Sequence, residues 1–240
     1  MAHTMQIDEI FRQPDGGLLD FLAGDSFRRF PPDTIAHRHT EVRMDLVARV
    51  KGILLTPKTE WGVIDTEPAT VGSLYTGYII PLAAIPAVAG FIGLTVLGYD
   101  FLGTTIRYPM SSGIKHAVLT YLLSLAGTYL LALIIDALAP NFGGQKNQIQ
   151  ALKVAAYSST ASWVAGIFLV VPALSVLAIL GLYSLYLFYL GLPKLMKAPE
   201  EKAMGYTVVV IVCAIVVFMV VGAIVRSVVP MPGVPGFTPS

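Results

Sequence analysis

From Thr207 to Val225 the chain reads TVVVIVCAIVVFMVVGAIV, a run without a charge, a proline or an amide side chain. At about 1.5 Å rise per residue, such a run matches a hydrocarbon core of ~30 Å. Four more stretches share this character, at residues 74–97, 116–138, 151–171 and 173–192. Only Asp136 and Lys153 carry formal charge inside the five windows, and both lie near a helix end. In lipid a backbone must satisfy its own hydrogen bonds, so the stretches are read as α-helices. The expected fold is all-α: a polytopic membrane protein with a five-transmembrane-helix bundle over residues 74–229.

Composition agrees. Hydrophobic residues make up 55% and charged residues 13%, about half the charged share of ordinary soluble domains. A net charge of +1 gives no reason to expect a nucleic-acid partner. The single cysteine, Cys213, lies mid-helix, so neither a disulfide framework nor a thiol metal site is available. Length allows one membrane domain and little else.

Basic residues set the expected orientation. With the N-terminus cytoplasmic, the inside flanks carry Arg43, Arg49, Lys51, Lys58, Lys146, Lys153, Lys194, Lys197 and Lys202. The outside flanks then hold Arg107, Lys115 and Arg226. That asymmetry favours a cytoplasmic N-terminus in the cell membrane, with the Pro-rich tail 230–240 outside.

The opening segment 1–43 has no apolar core of signal-peptide type and no sustained periodicity. It reads either as a disordered extension or as a non-native one with Met44 as the natural start. His37 and His39 lack companion ligands, so no metal site is expected there.

From Met44 the pattern changes, and residues 44–73 read as a cytoplasmic lead-in. Leu46, Val47, Val50, Ile53 and Leu54 fall within about 120° of a helical wheel, with Asp45, Arg49 and Lys51 outside that arc. This describes an N-terminal amphipathic interfacial helix whose Arg49 and Lys51 meet anionic headgroups of the lipid bilayer. Packing of the same face against the bundle is the equal alternative. Thr56-Pro57 ends the helix and caps a second one, with Thr56 at N-cap. Trp61 falls where an interfacial aromatic would anchor the chain.

Within the spans, Pro81 and Pro86 predict a kinked first helix that packs closely through small residues. Asp136 is a functional candidate by default, as a proton or cation relay. Its place near the boundary instead favours a structural ion pair with Lys146 or Lys153, or a loop cap. In the loop after it, Pro140 ends the helix and Gly143-Gly144 supply the positive φ of a turn, beside Phe142. The hydroxyl run containing Ser158, Ser159, Thr160 and Ser162 can bond to carbonyls one turn back or across to neighbours. Tyr183, Tyr186 and Tyr189 share one side of the fourth helix and are read as a packing face.

No phosphate loop, HExxH, GxSxG or buried carboxylate pair is present, so neither enzyme chemistry nor a cofactor is expected. Three motifs stand out: DLVARVKGILLTPKTEW from Asp45 to Trp61, APNFGG from Ala139 to Gly144, and GLYSLYLFYLGLP from Gly181 to Pro193. Together they resemble the bacterial branch of the Yip1 domain family. The likeness runs from about Met44 to Val229. It implies a five-span membrane protein with no defined catalytic residue. Eukaryotic members enter the first helix through an acidic Gly-Pro motif and are linked to Rab GTPases. Tyr78-Ile79-Ile80-Pro81 stands in that place here, so a GTPase partner is not carried over. The expected function is a non-catalytic scaffold, adaptor or membrane-organising role, with membrane-protein partners or a homo-oligomer. The alternative is a small permease with a polar path around Asp136, Lys153 and Ser158–Ser162, and an embedded enzyme comes last.

Overall fold

The computed structural model describes residues 45–101 and 104–229. The expected extension 1–43, its histidines and the tail 230–240 lie outside those residues. Two short helices, α1 (Leu46–Leu55) and α2 (Pro57–Thr66), lead into the bundle. The Asp45 carboxylate accepts from Val47 N and Ala48 N, which starts α1. Thr56 and Pro57 break the chain as expected, with Pro57 in the first turn of α2. The Thr56 hydroxyl does not cap α2, however; it donates back to Gly52 O at 3.1 Å.

Helix α3 runs over Val71–Leu97, with π-helical turns at Tyr75–Ile79 and Ile92–Leu97 on either side of the proline-containing centre. A small antiparallel hairpin follows, β1 (Tyr99–Phe101) with β2 (Thr104–Ile106), pairing Tyr99 with Ile106. Helix α4 extends from Met110 through Phe142, its last turn tightened to 3₁₀. The third apolar stretch is α5 (Gln148–Ser158), α6 (Thr160–Ala165) and a 3₁₀ turn over Gly166–Val170. A 3₁₀ run over Pro172–Leu182 leads into α7 (Tyr183–Met196), and α8 covers Glu200–Val228.

Among the described residues, four helices are long and apolar enough to cross a membrane: 71–97, 110–142, 172–196 and 200–228. The expected five continuous spans are therefore four, plus a third stretch broken at Ser159. That stretch is the innermost part of the fold, with every residue from Ala151 to Ser158 buried. It runs beside α3. A Cβ on Gly166 would fall 2.5 Å from Pro86 Cβ, and one on Gly93 would collide with the Leu169 carbonyl. Pro86 thus serves close packing, as expected.

The lead-in, the 139–147 loop and the end of α7 gather at one end of the bundle, here called the near end. Gln145 N donates to Met196 O at 2.7 Å there, and Lys197 Nζ reaches Asp65 Oδ2 at 2.5 Å. The hairpin and the 171–172 turn mark the far end.

Candidate functional site: a buried charge cluster at the near end

Helix α1 crosses α2 where Gly52 leaves room. A Cβ there would lie 2.5 Å from Glu60 Cδ. The approach lets Arg49, one turn before Ile53, turn inward. Its Nη1 donates to Glu60 Oε1 and its Nη2 to Glu67 Oε1. Arg49 is only 7% exposed, and its guanidinium carbon sits 5.8 Å from the Tyr157 ring centroid. Burial by itself would lower the guanidinium pKa. The hydrogen bond and charge of Glu67, aided by Glu60, hold it above its ordinary value.

Arg49 is therefore not the headgroup anchor expected of it, whereas Lys51 is exposed. A wheel treats a charge as solvent-facing, but two carboxylates make inward placement tolerable. The signal was present: Arg49 borders Ile53 at the edge of the apolar arc, and Ile53 is fully buried. Glu60, Glu67, Tyr78 and Tyr157 escaped the sequence reading, because nothing local links Arg49 to residues 11 and 18 positions away.

Lys153 comes from the innermost helix. Its Nζ donates to Ile64 O at 2.8 Å and Glu67 O at 2.6 Å, placing a cation at the C-terminal end of α2. Gln150 Nε2 adds a bond to Asp65 O at 3.0 Å. The formal charges of Arg49, Lys153, Glu60 and Glu67 sum to zero, which suits a buried cluster.

Aromatic rings close the cluster. Tyr78 meets Tyr157 edge-on at 4.6 Å, and Trp61 meets Tyr157 edge-on at 6.3 Å. Thr160 Oγ1 donates to Tyr157 O and shares a 2.6 Å hydrogen bond with the Tyr78 hydroxyl. Trp61 is 1% exposed rather than interfacial, and Gly191 of α7 accommodates its ring.

The other candidates scatter. Asp136 pairs with neither Lys146 nor Lys153 among the described residues. Its Oδ1 is buried without a hydrogen-bond partner in the protein. Neighbouring Ile135 O accepts instead from the Tyr206 hydroxyl. Lys153 Nζ instead donates to the carbonyls at the end of α2. Ser159 Oγ donates to Ala155 O, one turn back. Ser162 Oγ bonds across to Gly181 O and Ser184 Oγ.

In the loop, Gly143 has the expected positive φ of 74°, but Gly144 does not. Gly144 is small for another reason: a Cβ would lie 2.7 Å from Met196 O. Phe142 stacks on Tyr206 at 4.9 Å, and Pro140 sits within the closing 3₁₀ turn. Tyr183, Tyr186 and Tyr189 are 36–41% exposed and do not form the packing face. Ser184, Leu187, Phe188 and Gly191 do that. Spacing places the three tyrosines on one side, and lipid is as acceptable to them as a neighbouring helix.

An all-helical membrane bundle whose lead-in helices are tied to it by a buried charge cluster defines a class of integral membrane protein. A sequence model of the Yip1 domain matches residues 51–221. The chain belongs to the Yip1 domain family. It is 28% identical over 166 residues to the inner membrane protein YohC of Escherichia coli K12, covering 67% of this chain and 85% of that protein. The YohC protein of Escherichia coli strain CFT073 matches with the same identity and coverage. No solved structure matches.

Proposed function

We propose that this protein is a non-catalytic, membrane-organising component of the cell membrane, with a cytoplasmic N-terminus and α1–α2 as its working part. The carrying observation is the tie between the lead-in and the bundle. Arg49, Glu60, Glu67 and Lys153 bond one another or backbone carbonyls, so the lead-in is held as a rigid platform. Its outer edge leaves Val47 at 58%, Leu55 at 77% and Val63 at 48% exposed. Exposed apolar side chains on a short helix suit one headgroup boundary. A rigid wedge in one leaflet, or a docking edge for another membrane protein, is the role this supports.

The permease reading needs Asp136, Lys153 and Ser158–Ser162 along one polar path. Lys153 and Thr160 are engaged elsewhere, which counts against it. Reconstitution into liposomes tests both, with ion flux and vesicle morphology measured on one preparation. Altered vesicle size or shape without flux is expected, and it should disappear in Val47→Asp/Leu55→Asp protein. Saturable flux, or morphology unaffected by the double substitution, would overturn the proposal.

A further inference from the structure

At the far end, three adjoining cavities share walls. Thr120 lines all three; Pro86 lines both the inner one and one outer cavity, and Phe218 and Val221 line both the inner one and the other. The inner chamber, of about 240 Å³, lies between α3, α4, α6 and α8 and reaches Ser159, Ser162 and Trp163. The outer cavities, about 420 and 330 Å³, both include His116. One of them ends at Tyr108, Arg226 and Val229.

The chemistry of this space changes along its length. Inside, most of the hydroxyls are already used; Thr120 Oγ1 is buried without a hydrogen-bond partner among the described residues. Ser124, Thr128 and Ser159 donate to Tyr121 O, Ser124 O and Ala155 O of their own helices. Ser162 is bound to Gly181 O and Ser184. No charged residue lines the inner chamber. An ion would find little to replace its water there, whereas a hydrocarbon chain would lose nothing. At the mouth, His116 and Arg226 stand without any carboxylate among the lining residues.

We propose that this crevice binds an anionic phospholipid of the far leaflet, its phosphate at Arg226 and one acyl chain running inward to Trp163. The assignment is independent of the role given to the lead-in helices. The bilayer presents this ligand at the mouth of the site at high local concentration. A basic rim over an apolar, uncharged interior fits its two halves.

Tryptophan fluorescence tests it, because the chain has two tryptophans and Trp61 does not line the crevice. Trp61→Phe protein, with Trp163 as the sole emitter, is reconstituted into phosphatidylcholine vesicles. These contain increasing amounts of chain-brominated phosphatidylglycerol or, in parallel, chain-brominated phosphatidylcholine. Quenching should saturate at a mole fraction roughly fivefold lower for phosphatidylglycerol, the preference one basic side chain gives near an anionic headgroup. Arg226→Gln, at an exposed position, should bring that ratio close to one. Gly127→Leu, which extends a side chain into the chamber wall, should remove the saturable component. Equal quenching by the two lipids, or a preference unchanged by Arg226→Gln, would overturn the proposal. So would a brominated free fatty acid that saturates as readily as phosphatidylglycerol.

Discussion

Gly191 lies against the face of Trp61: a Cβ on it would fall 2.6 Å from Trp61 Cε2. The contact joins α7 to α2 and seats the indole beside Tyr157, so a glycine in one helix fixes where the lead-in docks. Gly191→Val should destabilise the protein by about 1–3 kcal/mol through overpacking. Gly90→Ala, where nothing lies within 4 Å, should leave stability unchanged. Thermal unfolding in detergent compares the two, and equal melting temperatures would show that the Trp61 contact is dispensable.

Removing one member of the buried cluster strands the others. Arg49→Met leaves Glu60 and Glu67 facing each other and should cost about 3–5 kcal/mol. Replacing all three together, as Arg49→Met with Glu60→Gln and Glu67→Gln, should recover part of that loss. A triple variant no better than Arg49→Met would mean that the apolar shape of the site, not charge pairing, holds the lead-in. The guanidinium pKa lies above its ordinary value in the fold. Its contribution is therefore present at neutral pH, below the unfolded-state pKa, and is lost as pH rises through the folded-state value.

Among the described residues Asp136 has no cationic partner to lose. Asp136→Asn should shift stability by less than about 1 kcal/mol, as for changes that break no pairing. Tyr206→Phe, which deletes a buried hydrogen bond to Ile135 O, should cost about 1 kcal/mol. Unfolding of both variants, alongside liposome flux, checks this. Flux present in the parent and absent in Asp136→Asn would restore the permease reading.

A chain beginning at Met44 should insert and unfold like the full sequence, because residues 1–43 offer little apolar surface to offset roughly 1–2 kcal/mol per residue of ordering entropy. A chain beginning at Trp61 lacks Arg49 and Glu60 and should lose much of its stability. Melting temperatures of the three proteins decide it. A large loss from the first cut would show that the opening segment is structural.

Topology turns on the third apolar stretch. If residues 148–170 cross the bilayer, the termini lie on opposite sides. A phosphatase fused after Ser240 should then be active outside the cytoplasm, given the basic flanks around the lead-in. A cytoplasmic reporter signal at that position would reverse the assignment.

Four long helices, their approximate limits and the membrane setting were legible in the sequence, because long uncharged runs have one stable form in lipid. Pro57 in the first turn of α2 and the positive φ of Gly143 were legible too, since both follow from local backbone sterics. What faces what was not. In a soluble protein apolar side chains mark the core, but in lipid they are welcome on either side of a helix. Thus Tyr186 and Tyr189 point outward, while Ala151, Ala155, Ala156 and Ser158 fill the centre. Only the tertiary structure could bring Arg49 to Glu67 and Lys153 to Ile64 O, because those pairings depend on how three separate helices meet.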